Sequence, residues 1–178
     1  MIESRRSVYL SPVDSCEDAL IAIAAGATKS IHVFCYAFTD HALAGILMQA
    51  VKDGKAVGVV VDSTQAAGAT QRPLMQLLVD NGVPLTISRS TAGGILHEKV
   101  IVRDGGLGPE SNDSFVIYGS FNLTNQTAER QENWLITDND PRLVADFMAR
   151  YAAVEAFGKA NVKQMAPTPN TGGPPPSV

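Results

Sequence analysis

The chain has 178 residues, 45% of them apolar and 18% charged, which fits one domain with a real core and excludes an intrinsically disordered protein. The net charge of −4 excludes a strongly basic coat for nucleic acid, although a few lysines and arginines could still line a local cleft. No apolar run reaches the length of a membrane span, and Met1 to Leu10 has no apolar stretch that would make it a signal peptide.

Taken in chain order, Ser15 to Thr28 predicts a helix, because Ala19, Leu20, Ile23 and Ala27 recur at helical spacing. Ser30 to Tyr36 predicts a strand, with Ile31, Val33 and Cys35 alternating with Ser30, His32 and Phe34. Thr39 or Asp40 can cap a second helix, Asp40 to Asp53, which Gly54 ends. Ala56 to Val61 is a nearly continuous apolar strand of the kind found in sheets covered on both faces. Gln71 to Asp80 is helical, stops at Asn81-Gly82, and leads into a strand from Val83 to Ser88.

The second half differs. Leu96 to Arg103 and Phe115 to Gly119 predict two strands joined by a polar, glycine-rich loop, and Asn133 to Thr137 a further strand. A last helix starts at Thr137 or Asp140, with Pro141 in its first turn, and runs to about Phe157. The expectation is an α/β fold: a mixed, mostly parallel central sheet flanked by helices on both faces. Residues 1–165 form the domain, and the Pro- and Gly-rich residues 166–178 form a disordered tail. Cys16 and Cys35 read as buried small apolar residues, and no Cys/His cluster suggests zinc.

The residues that carry chemistry begin at His97. The run His97-Glu98-Lys99, then Asp104, is followed by Gly119-Ser120-Phe121-Asn122 and by Glu132. On a strand His97 and Lys99 sit two apart, so both face one side. An imidazole beside an ammonium makes a phosphate site, the lysine as a point charge and the histidine as nucleophile or proton donor. Antiparallel pairing of the two strands brings His97 opposite Ser120 and Lys99 opposite Tyr118. Gly119 would let the backbone approach a phosphate, while Ser120 and Asn122 would bind its oxygens. Asp104 lies seven positions from His97, roughly 23 Å at about 3.3 Å per residue, and is therefore read as structural.

The spacing His-x-Lys-x4-Asp with Gly-Ser-x-Asn resembles the signature of the phospholipase D superfamily. The stretch Gly-Ser-Phe-Asn-Leu-Thr followed by Glu-Asn resembles its small bacterial endonuclease branch. Weaker likeness reaches back to Tyr36-Ala-Phe-Thr-Asp and Val59-Val-Val-Asp-Ser-Thr-Gln, so that it spans about Ser11 to Phe157. The segment Gly105 to Tyr118 is longer than the family's, with the insertion at the hairpin tip. The resemblance implies a phospholipase D-like fold, a catalytic set of His97, Lys99, Ser120, Asn122 and Glu132, and phosphate binding by Lys99, Gly119, Ser120 and Asn122. Glu132 would orient the histidine.

The family reaction uses two histidines, and His32 and His41 lack the motif context. The resemblance therefore implies a two-fold homodimer acting on DNA or RNA without metal or cofactor. It leans toward the periplasm if a signal peptide has been removed, and otherwise toward the cytoplasm. The alternatives are a lipid phosphodiesterase and a non-catalytic dimeric binding module. Asp62-Ser63-Thr64-Gln65 reads as a turn or a groove lining, Arg72, Arg89 and Arg130 as solvated cations or, alternatively, contacts to nucleic-acid phosphates, and Trp134 as core.

Overall fold

A computed structural model describes residues 5–105, 113–124 and 134–169. Seven strands form one sheet: β1 (Arg6–Leu10), β2 (Ser30–Cys35), β3 (Ala56–Asp62), β4 (Leu85–Ser88), β5 (Lys99–Arg103), β6 (Phe115–Gly119) and β7 (Trp134–Asp138). Five helices accompany them: α1 (Cys16–Ala25), α2 (His41–Lys52), α3 (Ser63–Ala66), α4 (Arg72–Asp80) and α5 (Pro141–Asn161). The order across the sheet is β1-β7-β6-β5-β2-β3-β4.

Helices cover both faces of this mixed sheet, and strand alternation assigns each side chain to a face. Ile31, Val33, Val59, Val61, Ile101 and Ile117 pack with Leu20 of α1, Leu43 and Leu47 of α2, and Leu78 of α4. The intervening Phe34, Val60, Val100, Val102 and Val116 pack with Val144, Tyr151 and Val154 of α5.

The sheet is not mostly parallel. Only β2–β3 and β3–β4 are parallel, while β2–β5, β5–β6, β6–β7 and β1–β7 are antiparallel. The cause is connectivity: helical crossovers enforce parallel pairing and are confined to the first half, whereas β5 returns beside β2 and begins a meander. The register of β5 and β6 is also shifted by one residue from expectation. Val100 pairs with Tyr118, which continues to Lys99 opposite Gly119. The hairpin ends set this register: Arg103 pairs with Phe115, and the Ser114 hydroxyl donates to the Asp104 carbonyl at 2.6 Å.

Two elements are new: β1, an exposed edge strand without core periodicity, and α3, where Asp62 caps a four-residue helix. Trp134 is 42% exposed on β7 rather than in the core. It pairs with Leu10 of the edge strand β1. Cys16 and Cys35 are free and buried. The chain stays ordered past residue 165. Gln76 donates to the Ala166 carbonyl at 3.0 Å, and the Thr168 hydroxyl donates to Asp80 at 2.8 Å. Donors and acceptors on α4 thus hold the start of the segment that composition alone marks as disordered. Residues 170–178, residues 106–112 of the Gly105–Asp113 hairpin insertion, Arg130 and Glu132 lie outside the described residues.

Candidate active site

Strand directions bring the motif halves to one end of the sheet. β2, β3 and β4 are parallel, so Tyr36 and Asp62 lie at that end. β5 runs against β2 and starts there, just after His97. β6 runs against β5 and finishes there with Gly119 and Ser120. Asp104 follows β5 at the opposite end. Open α/β sheets bind ligands beyond the carboxyl ends of their strands where the strand order reverses, and His97 sits beside that point, between β2 and β5.

His97 precedes β5 rather than lying within it, yet the one-face expectation holds, because both motif side chains meet one ring. The His97 imidazole lies 4.9 Å from the Tyr36 ring between centroids, and Lys99 Nζ lies 5.4 Å from the same ring. Glu98, between them, turns the other way and pairs with Arg150 of α5 at 2.7 Å. Lys99 is 8% exposed, and its Nζ donates to the His97 carbonyl at 2.9 Å. Burial lowers the Lys99 pKa, against a smaller opposing effect of Cys35. Burial also pushes the Cys35 thiol up to about 12, so it is neutral and no counter-ion. Among the described residues no carboxylate pairs with Lys99. A buried cation without a counter-ion among the described residues suits an incoming anion.

Two residues beyond the motif hold this ledge. Buried Asp62 accepts from Leu96 N–H at 2.7 Å, immediately before His97, and from Thr64 N–H at 2.9 Å in α3. Gln65 of α3 donates to the Tyr36 hydroxyl at 2.8 Å. Sequence reasoning left Tyr36 without a role and gave Asp62 to Gln65 only a possible groove lining. Their position at strand carboxyl ends was the available signal.

After β6, Phe121 and Leu123 are both 2% exposed in the core, which turns the alternating Ser120 and Asn122 away from it. Thr39 N–H donates to the Leu123 carbonyl at 2.8 Å, so the segment is pinned beside the start of α2. The Ser120 hydroxyl oxygen accepts from Trp134 N–H at 3.0 Å, leaving its proton free to donate. Asn122 Oδ1 is buried with no hydrogen-bond partner among the described residues. Gly119 has a structural cause: a Cβ there would meet the Trp134 carbonyl oxygen at 2.1 Å. This close crossing of β6 and β7 requires glycine whether or not a phosphate approaches.

Asp104 is fully buried with φ 52°, and its carboxylate accepts from the N–H groups of Thr28, Lys29 and Ser30 and from the Thr28 hydroxyl. Burial alone would raise its pKa, but the hydrogen bonds from Ser30, Lys29 and Thr28 outweigh it and the pKa falls below the ordinary value. It ties the α1–β2 turn to the far end of β5. His32 packs edge-on to Tyr151 under α5, and His41 is exposed at the start of α2.

Residues 20–154 match the family described as cardiolipin synthase, PLD-like domain. The chain belongs to this family, and thus to the phospholipase D superfamily of phosphodiesterases. Within the superfamily it is similar to the single-motif, endonuclease-like branch. It is 25% identical to Nuc of Salmonella typhimurium, a phospholipase D family member, with a TM-score of 0.76 over 88% of this chain and 97% of that one. NucT of Helicobacter pylori shares the fold at 18% identity and a TM-score of 0.72, over 87% and 98% of the two chains. A polyphosphate kinase of Porphyromonas gingivalis, 16% identical, shares it over 93% of this chain and 27% of its own, with a TM-score of 0.67. No curated protein matches the chain.

Proposed function

We propose that the chain is a metal-independent phosphodiesterase, a non-specific endonuclease that hydrolyses DNA and, as a second substrate, RNA, with each active site shared by two protomers. The observation that carries this reading is the set of His97 and Lys99 against one tyrosine ring, at the same sheet end as Ser120 and Asn122. The endonuclease-like Gly-Ser-Phe-Asn-Leu-Thr stretch supports the nucleic-acid substrate. So does the near-complete span of Nuc and NucT by a chain of this size.

A phosphodiester on this ledge would set a non-bridging oxygen against Lys99, with the Ser120 hydroxyl and the Asn122 amide as further donors. The His97 imidazole attacks phosphorus, and the bond to the leaving oxygen breaks. The His97 of a second protomer gives that oxygen its proton. The second imidazole then takes a proton from water, which attacks the phosphohistidine and restores His97. Glu132 would hold the ring's tautomer. One motif per chain supplies one histidine, which is the reason for a two-fold dimer.

Mixed dimers test the shared site. Wild-type protein exchanged with increasing amounts of His97→Ala subunits should lose DNA cleavage as the square of the wild-type fraction. A linear loss would place a complete site in each protomer. The family's description as a cardiolipin synthase domain favours a second reading, with a lipid phosphodiester as substrate. Headgroup release from anionic vesicles, with no cleavage of DNA or RNA, would establish it. Among the described residues no helix is long and apolar enough to cross a membrane.

A further inference from the structure

A groove of about 540 Å³ opens beside α3, the helix whose Gln65 reaches Tyr36. It lies at the carboxyl ends of β3 and β4, the same sheet end as His97. Its volume is that of a small-molecule site. Arg72 and Lys163 line it, and neither makes an ion pair or a side-chain hydrogen bond among the described residues. No acidic side chain is among its lining residues, which makes it a local cationic site on a chain of net charge −4. Ala66, Ile87, Val162 and Met165 give it apolar walls.

One wall is preformed. Gln164 accepts from Ile87 N–H at 2.7 Å and donates to the Gly158 carbonyl at 2.9 Å, which clamps the segment after α5 to the edge of β4. Apolar walls beside two unpaired cations suit a heteroaromatic ring joined to a phosphate.

We propose that the groove is a subsite for a nucleotide of the substrate strand, away from the scissile phosphate, with the base against the apolar walls and its phosphate between Arg72 and Lys163. This deepens the nuclease reading and rests on it. α3 stands between the two: Ser63 and Ala66 line the groove, while Gln65 reaches Tyr36 on the ledge. Oligonucleotides too short to reach across α3 lose the contact.

The test uses the full chain in two arms. In the first, Arg72→Ala/Lys163→Ala and Ala67→Trp, which fills the groove from an exposed position, are assayed on single-stranded oligonucleotides and on bis(p-nitrophenyl) phosphate. The expected result is a KM raised about tenfold for long oligonucleotides, with kcat and turnover of the small ester unchanged. An unchanged KM in both variants, with active wild type, overturns the subsite and leaves the nuclease reading standing. In the second arm, deoxyadenosine monophosphate and an oligonucleotide are titrated into the His97→Ala protein and followed by amide NMR. Shifts at Ala66, Ala67, Ile87 and Lys163 that vanish when Arg72 and Lys163 are also replaced support nucleotide binding in the groove; the same shifts beside a wild type that cleaves no DNA overturn the nuclease reading and with it a substrate-strand role for the groove. No shift at those residues with either probe overturns it.

Discussion

Lys99 and Asp104 belong to one motif but meet opposite electrostatic conditions. Lys99 is buried without a carboxylate, so its pKa lies below the ordinary 10.5. If its ammonium binds the phosphate, the alkaline limb of kcat/KM falls at a pH below that value, because the charge is lost earlier as pH rises. A pH–rate profile that stays flat to pH values above 10.5 would contradict that role. Asp104 has a native pKa below 3.8, so the unfolded carboxyl binds a proton more readily than the native one. Its contribution is complete above the unfolded value and is lost as pH falls from there through the lower native pKa. Asp104→Asn should cost about 3 kcal/mol at neutral pH, since four donors lose a charged acceptor, while activity per folded molecule is retained. Urea denaturation at neutral and acid pH checks both parts: the gap between wild type and variant should shrink in acid. A gap that persists would mean the hydrogen bonds, not the charge, carry the effect.

Hydrophobic alternation made most elements legible. It separates Ile31 and Val33 from Phe34 and delivers β2, while the continuous apolar run from Ala56 delivers β3, both with bounds close to those observed. Asp40 and Asp140 marked two helix starts, and each accepts a hydrogen bond from the first turn it precedes, as Ser15, read only as the start of an apolar helical repeat, also does. Partnership between segments distant in sequence was not legible. β1 is exposed and has no pattern of its own, because what orders it is pairing with β7. The ordering of Thr168 likewise depends on Asp80, far away in sequence. The hairpin register could be estimated only to one residue, because the contact between Ser114 and Asp104 at its end has no pattern in the sequence. Two predictions belong to this scale. Gly119→Ala drives a methyl against the Trp134 carbonyl and should cost about 1–3 kcal/mol in thermal unfolding, with some loss of activity because Ser120 follows directly. Gln164→Ala frees the edge of β4 and should cost about 1–2 kcal/mol. An unchanged melting temperature for Gln164→Ala would mean the strap does not stabilise the edge.

At the scale of the molecule, the antiparallel return of β5 beside β2 brings two distant motif halves to one rim and leaves Asp104 at the other. The placement of His97, Lys99, Gly119, Ser120 and Asn122 at one rim was legible because each stands at a position that alternation or pairing sends there. Tyr36 and Asp62 were not, since their roles arise from contacts across strands with Lys99 and Leu96. A second cause of Gly119 was hidden for the same reason: the neighbour that excludes a side chain is on β7. The central claim is that His97 performs phosphodiester cleavage without metal. Its most direct test is incubation of the purified protein with single- and double-stranded DNA in excess EDTA, beside His97→Ala. The account predicts cleavage that survives EDTA and disappears in the variant, whereas cleavage only with added metal, or equal cleavage by His97→Ala, would contradict it.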